Sequence, residues 1–104
     1  MAARPNVRRA NGSRRTALRK RVLARDTHCW LCKEIVDKTL PPALPLSPEV
    51  HEIIPVSRGG SPYEASNCTL THRACNQWIG NRTPDDLGRD TRPKPAVIVT
   101  GFNW

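Results

Sequence analysis

Apolar residues in this chain come in short runs whose period changes several times. Between Arg14 and Arg25, Leu18, Val22 and Leu23 can share one face at helical spacing, while Arg14, Arg15, Arg19, Lys20 and Arg21 occupy the others. The spacing predicts a helix over 14–25 with Ser13 as its N-cap. Residues 1–13, basic and rich in small polar residues, read as a disordered arm. Asp26 to Lys33 reads as a turn. Pro41, Pro42, Pro45 and Pro48 then exclude a regular helix or central strand over 37–48.

Glu49 to Ile54 reads as a strand, and Pro55 to Ser66 as a loop with a tight turn at Gly59-Gly60. Cys68 to Thr71 reads as the returning strand. His72 to Asn81 predicts a short helix, weakened by Gly80 and stopped by Thr83-Pro84. The tail, 84–104, is expected to be partly ordered, with Ala96–Val99 as a short strand and Trp104 docked on the body. The expected architecture is α+β, with one domain over 14–83.

Length and composition sharpen this picture. A chain of 104 residues with 38% hydrophobic content, one Phe and one Tyr has little core to spare. It needs a staple such as a metal or disulfides. The formal net charge is +8, and no acidic residue precedes Asp26. Such a balance favours a polyanionic partner, nucleic acid first, because each neutralised phosphate releases counterions. A basic soluble surface or a structural part of a ribonucleoprotein is the plainer reading of charge alone. No apolar run reaches membrane-spanning length, and the basic N-terminus lacks the apolar stretch of a secretory signal. A cytoplasmic location is therefore expected, where four cysteines read as metal ligands before disulfides.

Zinc takes four N or S ligands in a tetrahedron, often as two short-range pairs. Cys29-x-x-Cys32 is one pair, and His72-x-x-Cys75 supplies another from adjacent helical positions. A rival set replaces His72 with Cys68, but Cys68 falls in a strand, where a free thiol behaves as a small buried hydrophobe. The expected structural zinc ligands are Cys29, Cys32, His72 and Cys75. His28 is expected at the surface or behind a ligand.

The remaining polar residues of this region form an ordered series. It runs His51-Glu52-Ile53-Ile54-Pro55-Val56-Ser57-Arg58-Gly59-Gly60, then Asn67, then Cys75-Asn76. Together with the paired cysteine knuckles, this series resembles the HNH endonucleases, the ββα-metal or His-Me finger class, and in particular the small zinc-ribbon members of phages and prophages. The resemblance covers roughly Arg14 to Asn81. It implies a small ββα-metal domain stapled by structural zinc and preceded by a basic helix. It implies divalent-metal-dependent hydrolysis of double-stranded DNA, with Mg²⁺ or Mn²⁺ as catalytic ion and little sequence specificity. A role in phage DNA packaging, with a terminase as partner, is also implied.

Carried over position by position, His51 and Asn76 would hold the catalytic metal, Asn67 would orient the base, and Glu52 stands where the family places a general-base His. That substitution leaves three assignments open: Glu52 as base with His51 on the metal; His51 as base with Glu52 on the metal or structural; or a domain that binds DNA without cutting it. Arg58, beside the Gly59-Gly60 turn, is expected to hold a phosphate oxygen. Arg14, Arg15, Arg19, Lys20 and Arg21 are expected to grip the backbone without reading sequence. The competing class is a zinc-ribbon DNA-binding or assembly module with no catalysis.

Overall fold

The structure is a computed structural model that describes the backbone of residues 5–95 and the side chains of residues 12–95. Helix α1 spans Pro5–Arg25, strand β1 Pro48–Glu52, strand β2 Cys68–His72, helix α2 Arg73–Ile79 and helix α3 Pro84–Gly88. The fold is α+β: a two-stranded antiparallel sheet with helices packed on it.

α1 begins well ahead of Ser13, so residues 5–13, expected as a disordered arm, continue the helix. Pro5 stands in the first turn, where its missing N–H would be unbonded anyway and its fixed φ suits a helix. The Arg and Ala residues that follow are strong helix formers, enough to carry the helix through Gly12. Leu18 and Val22, one turn apart, are the buried residues of its described part, and Leu23 is partly buried beside them. This is the face the spacing predicted, and it packs against β2.

The strands pair in register from Pro48 opposite His72 to Glu52 opposite Cys68. Every residue of β2 is buried, whereas β1 buries Pro48 and His51 and leaves Glu49, Val50 and Glu52 partly open. Alternation along β1 puts Glu49 and His51 on one face and Glu52 on the other. The other edge of β2 is filled by the segment after α1: Trp30 N–H donates to the Leu70 carbonyl at 2.8 Å. The Leu70 N–H donates to the Asp26 carboxylate at 3.2 Å. A hydrogen bond from Arg25, opposed by burial and aided by the Leu70 N–H, holds the Asp26 carboxyl below its ordinary range. Its contribution to stability is therefore present above the unfolded carboxyl pKa and is lost as pH falls through the depressed folded value. Asp26→Ala strands a buried strand N–H, and equilibrium denaturation is expected to show a loss of about 1–3 kcal/mol at neutral pH.

The loop between the strands carries two single-turn 3₁₀ segments, Val56–Arg58 and Ala65–Asn67. Gly60 is wedged against it: a Cβ there would lie 1.7 Å from the Ile54 carbonyl oxygen and 2.8 Å from Asn67 Nδ2. The nearest obstacle is backbone, so the loop must open to admit a methyl group. Gly60→Ala is expected to destabilise the protein by about 3 kcal/mol or more, the upper range of overpacking; a thermal or denaturant midpoint close to wild type would contradict this close approach.

α2 is shorter than expected at both ends, because His72 remains in β2 as the N-cap and the helix ends at Gly80, whose φ is +58°. Thr83-Pro84, read as a stop, also starts α3. Thr83 and Asp86 exchange side-chain-to-backbone hydrogen bonds in a capping box, with Pro84 in the first turn. Ala96–Val99 and Trp104 lie outside the described residues. No helix among the described residues is long and apolar enough to cross a membrane.

Candidate functional site

Cys29, Cys32, His72 and Cys75 come together as a cluster whose ligand atoms all lie within 4.8 Å of one another. Tetrahedral zinc with Zn–S bonds of about 2.3 Å places its sulfurs about 3.8 Å apart, so the set fits a structural zinc with small adjustments. The turn after α1 supplies two ligands, the end of β2 the third and the first turns of α2 the fourth. The knuckle is closed by backbone bonds from Lys33 N–H to the Cys29 carbonyl and from Cys29 N–H to the Glu34 carbonyl.

The imidazole is prepared for a metal. His72 Nε2 lies 2.9 Å from the Ile35 carbonyl, an acceptor only, so Nε2 carries the proton. The lone pair is then on Nδ1, which lies 3.3 Å from Cys32 Sγ and 3.9 Å from Cys75 Sγ. A second partner of this kind fixes the tautomer of metal-binding histidines generally. The Cys29 thiol is pushed down to about 3 by its hydrogen bond with the Cys75 thiol, against the effect of burial, while Cys75 is pushed up. Cys29 thus enters as thiolate, the form that binds metal. Cys68 is buried on β2 and stands outside the cluster, as its strand position suggested.

The next residue after Cys75 reaches across to β1. Asn76 Oδ1 lies 3.0 Å from His51 Nδ1, joining α2 to β1. His51 is buried at 3% exposure, and its Nε2 is a buried atom with no hydrogen-bond partner. Trp30, carried by the zinc knuckle, lies against the same imidazole with ring centroids 5.4 Å apart. Burial lowers the His51 pKa, opposed by the hydrogen bond to Asn76 and the charge of Glu52, so the ring is neutral at neutral pH. A neutral imidazole and an amide oxygen are both competent metal ligands. At 3.0 Å the two side chains make a hydrogen bond: Oδ1 only accepts, so His51 Nδ1 donates. The orphaned Nε2 is the kind of buried polar atom that a functional role explains.

Glu52 faces away from this pair. Its Oε2 accepts a hydrogen bond from Arg15 Nη1 at 2.9 Å, on the α1 side of the sheet. Asn67 touches neither His51 nor Glu52. Its Oδ1 accepts from Ile54 N–H, and its Nδ2 donates to the Ile54 and Ser61 carbonyls, each at 2.9 Å. It thus pins the loop that leaves β1 and acts on the strand end only through the backbone. Arg58 is exposed and paired with Asp86 of α3 at 3.3 Å.

The basic residues of α1 fall into two groups. Lys20 and Arg21 are exposed. Arg14 stacks on Tyr63 at 3.9 Å, Arg15 holds Glu52, and Arg19 reaches the Pro48 carbonyl. Arg15, Arg19 and Arg73 line a groove of about 460 Å³ between α1, β1 and the Pro-rich loop.

Two contributors are absent from the sequence reading. Glu49 accepts a hydrogen bond from Asn76 Nδ2 at 2.9 Å through Oε1, and its Oε2 is paired with Arg73 at 3.1 Å. Its place two residues before His51 on a strand is the available signal, since those positions share a face. Trp30 sits inside the first cysteine pair, and nothing local to it announces a contact with His51. No protein-family model, curated protein or solved structure matches this chain.

Proposed function

We propose that this protein is a divalent-metal-dependent endonuclease of the HNH, ββα-metal type, cutting double-stranded DNA with little sequence specificity. The observation that carries this reading is the pairing of His51 and Asn76 at 3.0 Å, between β1 and a helix whose first turns join the Cys₃His cluster. The order of elements, two antiparallel strands running directly into a short helix, supports the same reading. So does the resemblance of the sequence around these residues.

In this mechanism His51 and Asn76 would hold Mg²⁺ or Mn²⁺, which would supply Lewis-acid charge to the scissile phosphate and the leaving oxygen. Glu52, on the opposite face of β1, takes the proton from the attacking water. Arg15 holds the Glu52 carboxylate in place before substrate arrives. Asn67 and Gly60 fix the turn after β1, which keeps the strand end from shifting. Arg19, Lys20 and Arg21 grip backbone phosphates, contacts that position the protein and carry no sequence information. Cys75, which would bind zinc, and Asn76, which would bind the catalytic ion, are neighbours in the chain, so the Cys₃His cluster would fix the place of Asn76.

Incubation of supercoiled plasmid with the zinc-loaded protein tests this proposal. Metal-dependent nicking or linearisation is expected, lost in His51→Ala and Glu52→Ala variants that retain zinc. Intact folding and DNA binding without cutting under any divalent ion would instead identify a non-catalytic zinc-ribbon binding module.

A further inference from the structure

We infer that Glu49 is a positioning residue that sets the orientation of the Asn76 amide and, through it, the tautomer of His51. The argument runs along a chain of contacts. Arg73 Nη1 pairs with Glu49 Oε2 at 3.1 Å, which holds the carboxylate in one orientation. Glu49 Oε1 is an ionised acceptor 2.9 Å from the Asn76 amide. A carboxylate cannot donate, so only the NH₂ end of that amide can face it. The carbonyl end, Oδ1, is thereby turned toward His51, 3.0 Å from Nδ1.

Oδ1 is also an acceptor only. A lone pair on Nδ1 at that distance would meet a lone pair on oxygen, so Nδ1 of the neutral ring carries the proton and Nε2 is left bare. This accounts for the buried unpartnered atom, which is Nε2. With the amide reversed, Nδ2 would donate to Nδ1 and the buried proton would sit on Nε2. Glu49, which touches neither nitrogen of His51, decides between these states.

The tautomer assignment stands on these contacts alone. Its consequence for catalysis rests on the nuclease proposal: Oδ1 is the one atom of the amide able to bind a hard cation, and Glu49 keeps that oxygen, not the amide nitrogen, facing β1 and His51. Partners standing behind a metal ligand in this way carry about a 10- to 100-fold effect on affinity or activity when removed.

Long-range ¹H–¹⁵N correlation spectra of the zinc-loaded protein, recorded above pH 7 without added divalent ion or DNA, read the tautomers directly. In the wild type, His51 is expected to show a protonated Nδ1 and a bare Nε2. His72, with its proton on Nε2 and Nδ1 toward the zinc cluster, gives an internal contrast in the same spectrum. Glu49→Leu removes the acceptor, and the single His51 tautomer is expected to give way to a mixture or to the reversed form, with His72 unchanged. Glu49→Gln keeps the volume and presents either end of its own amide, so it also loses the single tautomer, which covers the case in which Glu49→Leu fails to fold. A wild-type His51 protonated on Nε2 overturns the inference at once. So does a folded, zinc-retaining Glu49→Gln whose His51 signals match wild type. These readouts are independent of DNA cleavage, so an inactive protein with the expected spectra would sink the nuclease reading and leave this one standing. Where cleavage is present, Glu49→Gln is expected to lower it about 10- to 100-fold.

Discussion

Removing zinc is expected to unfold the protein in one step. A strong chelator, added until metal analysis shows the ion gone, should abolish the far-UV helical signal and the cooperative thermal transition together. Cys29 and Cys75 are themselves among the few fully buried side chains. Around them, the remaining buried apolar residues among those described are Leu18, Val22, Leu31, Val36, Cys68, Leu70 and Ile79, a small set for a domain. A typical domain is stable by about 5–15 kcal/mol. Structural zinc in small domains contributes an apparent 10–16 kcal/mol or so, as large as that whole stability. His72→Ala and Cys75→Ser should reproduce the loss. A zinc-free protein that still melts cooperatively would show that the cluster is dispensable and would remove the basis for linking the two centres.

Glu52→Gln and Asn76→Ala are expected to damage cleavage in different ways. Glu52→Gln removes the proposed proton acceptor but leaves its volume and its contact to Arg15. The turnover rate should fall about 10²- to 10⁴-fold, the usual contribution of a positioned base. The concentration of Mn²⁺ giving half-maximal rate should not move. Asn76→Ala removes the proposed metal ligand on the far face of the strand, so the Mn²⁺ requirement should rise at least about tenfold before the rate is affected at saturation. The two faces of β1 are the physical ground for the split: His51 and Asn76 meet on the α2 side, and Glu52 is held by Arg15 on the α1 side. If Glu52→Gln shifts the metal requirement while His51 variants alone abolish the rate at saturating metal, the base is His51, and its bare Nε2 is the proton acceptor.

Much of this protein is local, and local features are legible in sequence. The pairs Cys29/Cys32 and His72/Cys75 each lie three residues apart, a spacing that turn and helix geometry convert directly into convergent ligands. Leu18 and Val22 announce the buried stripe of α1 by the same logic. The period-2 phase of β1 separates His51 from Glu52 without any knowledge of the rest of the chain. The overturned expectations are also local. Pro5 and the Arg- and Ala-containing segment after it favour helix where composition suggested an arm, and Thr83-Pro84 opens α3 as well as closing what precedes it.

Other facts depend on which surfaces are pressed together. Which face of β1 receives α2 is settled by the Cys75 ligand and the packing of Ile79, and this alone makes Asn76 the neighbour of His51 rather than of Glu52. Asn67 meets loop backbone because Gly60 lets the turn close on Ile54. Glu49 becomes a partner of Asn76 because the antiparallel register sets β1 beside the strand that runs into α2. Trp30 reaches His51 because its own N–H is bonded to Leu70 on the free edge of β2. The sequence by itself determined the ligand types, the strand phase and the basic helix, since each follows from spacing along a few residues. Tertiary structure decided the company each side chain keeps, since contacts between residues distant in the sequence depend on register and on the cluster that locks it.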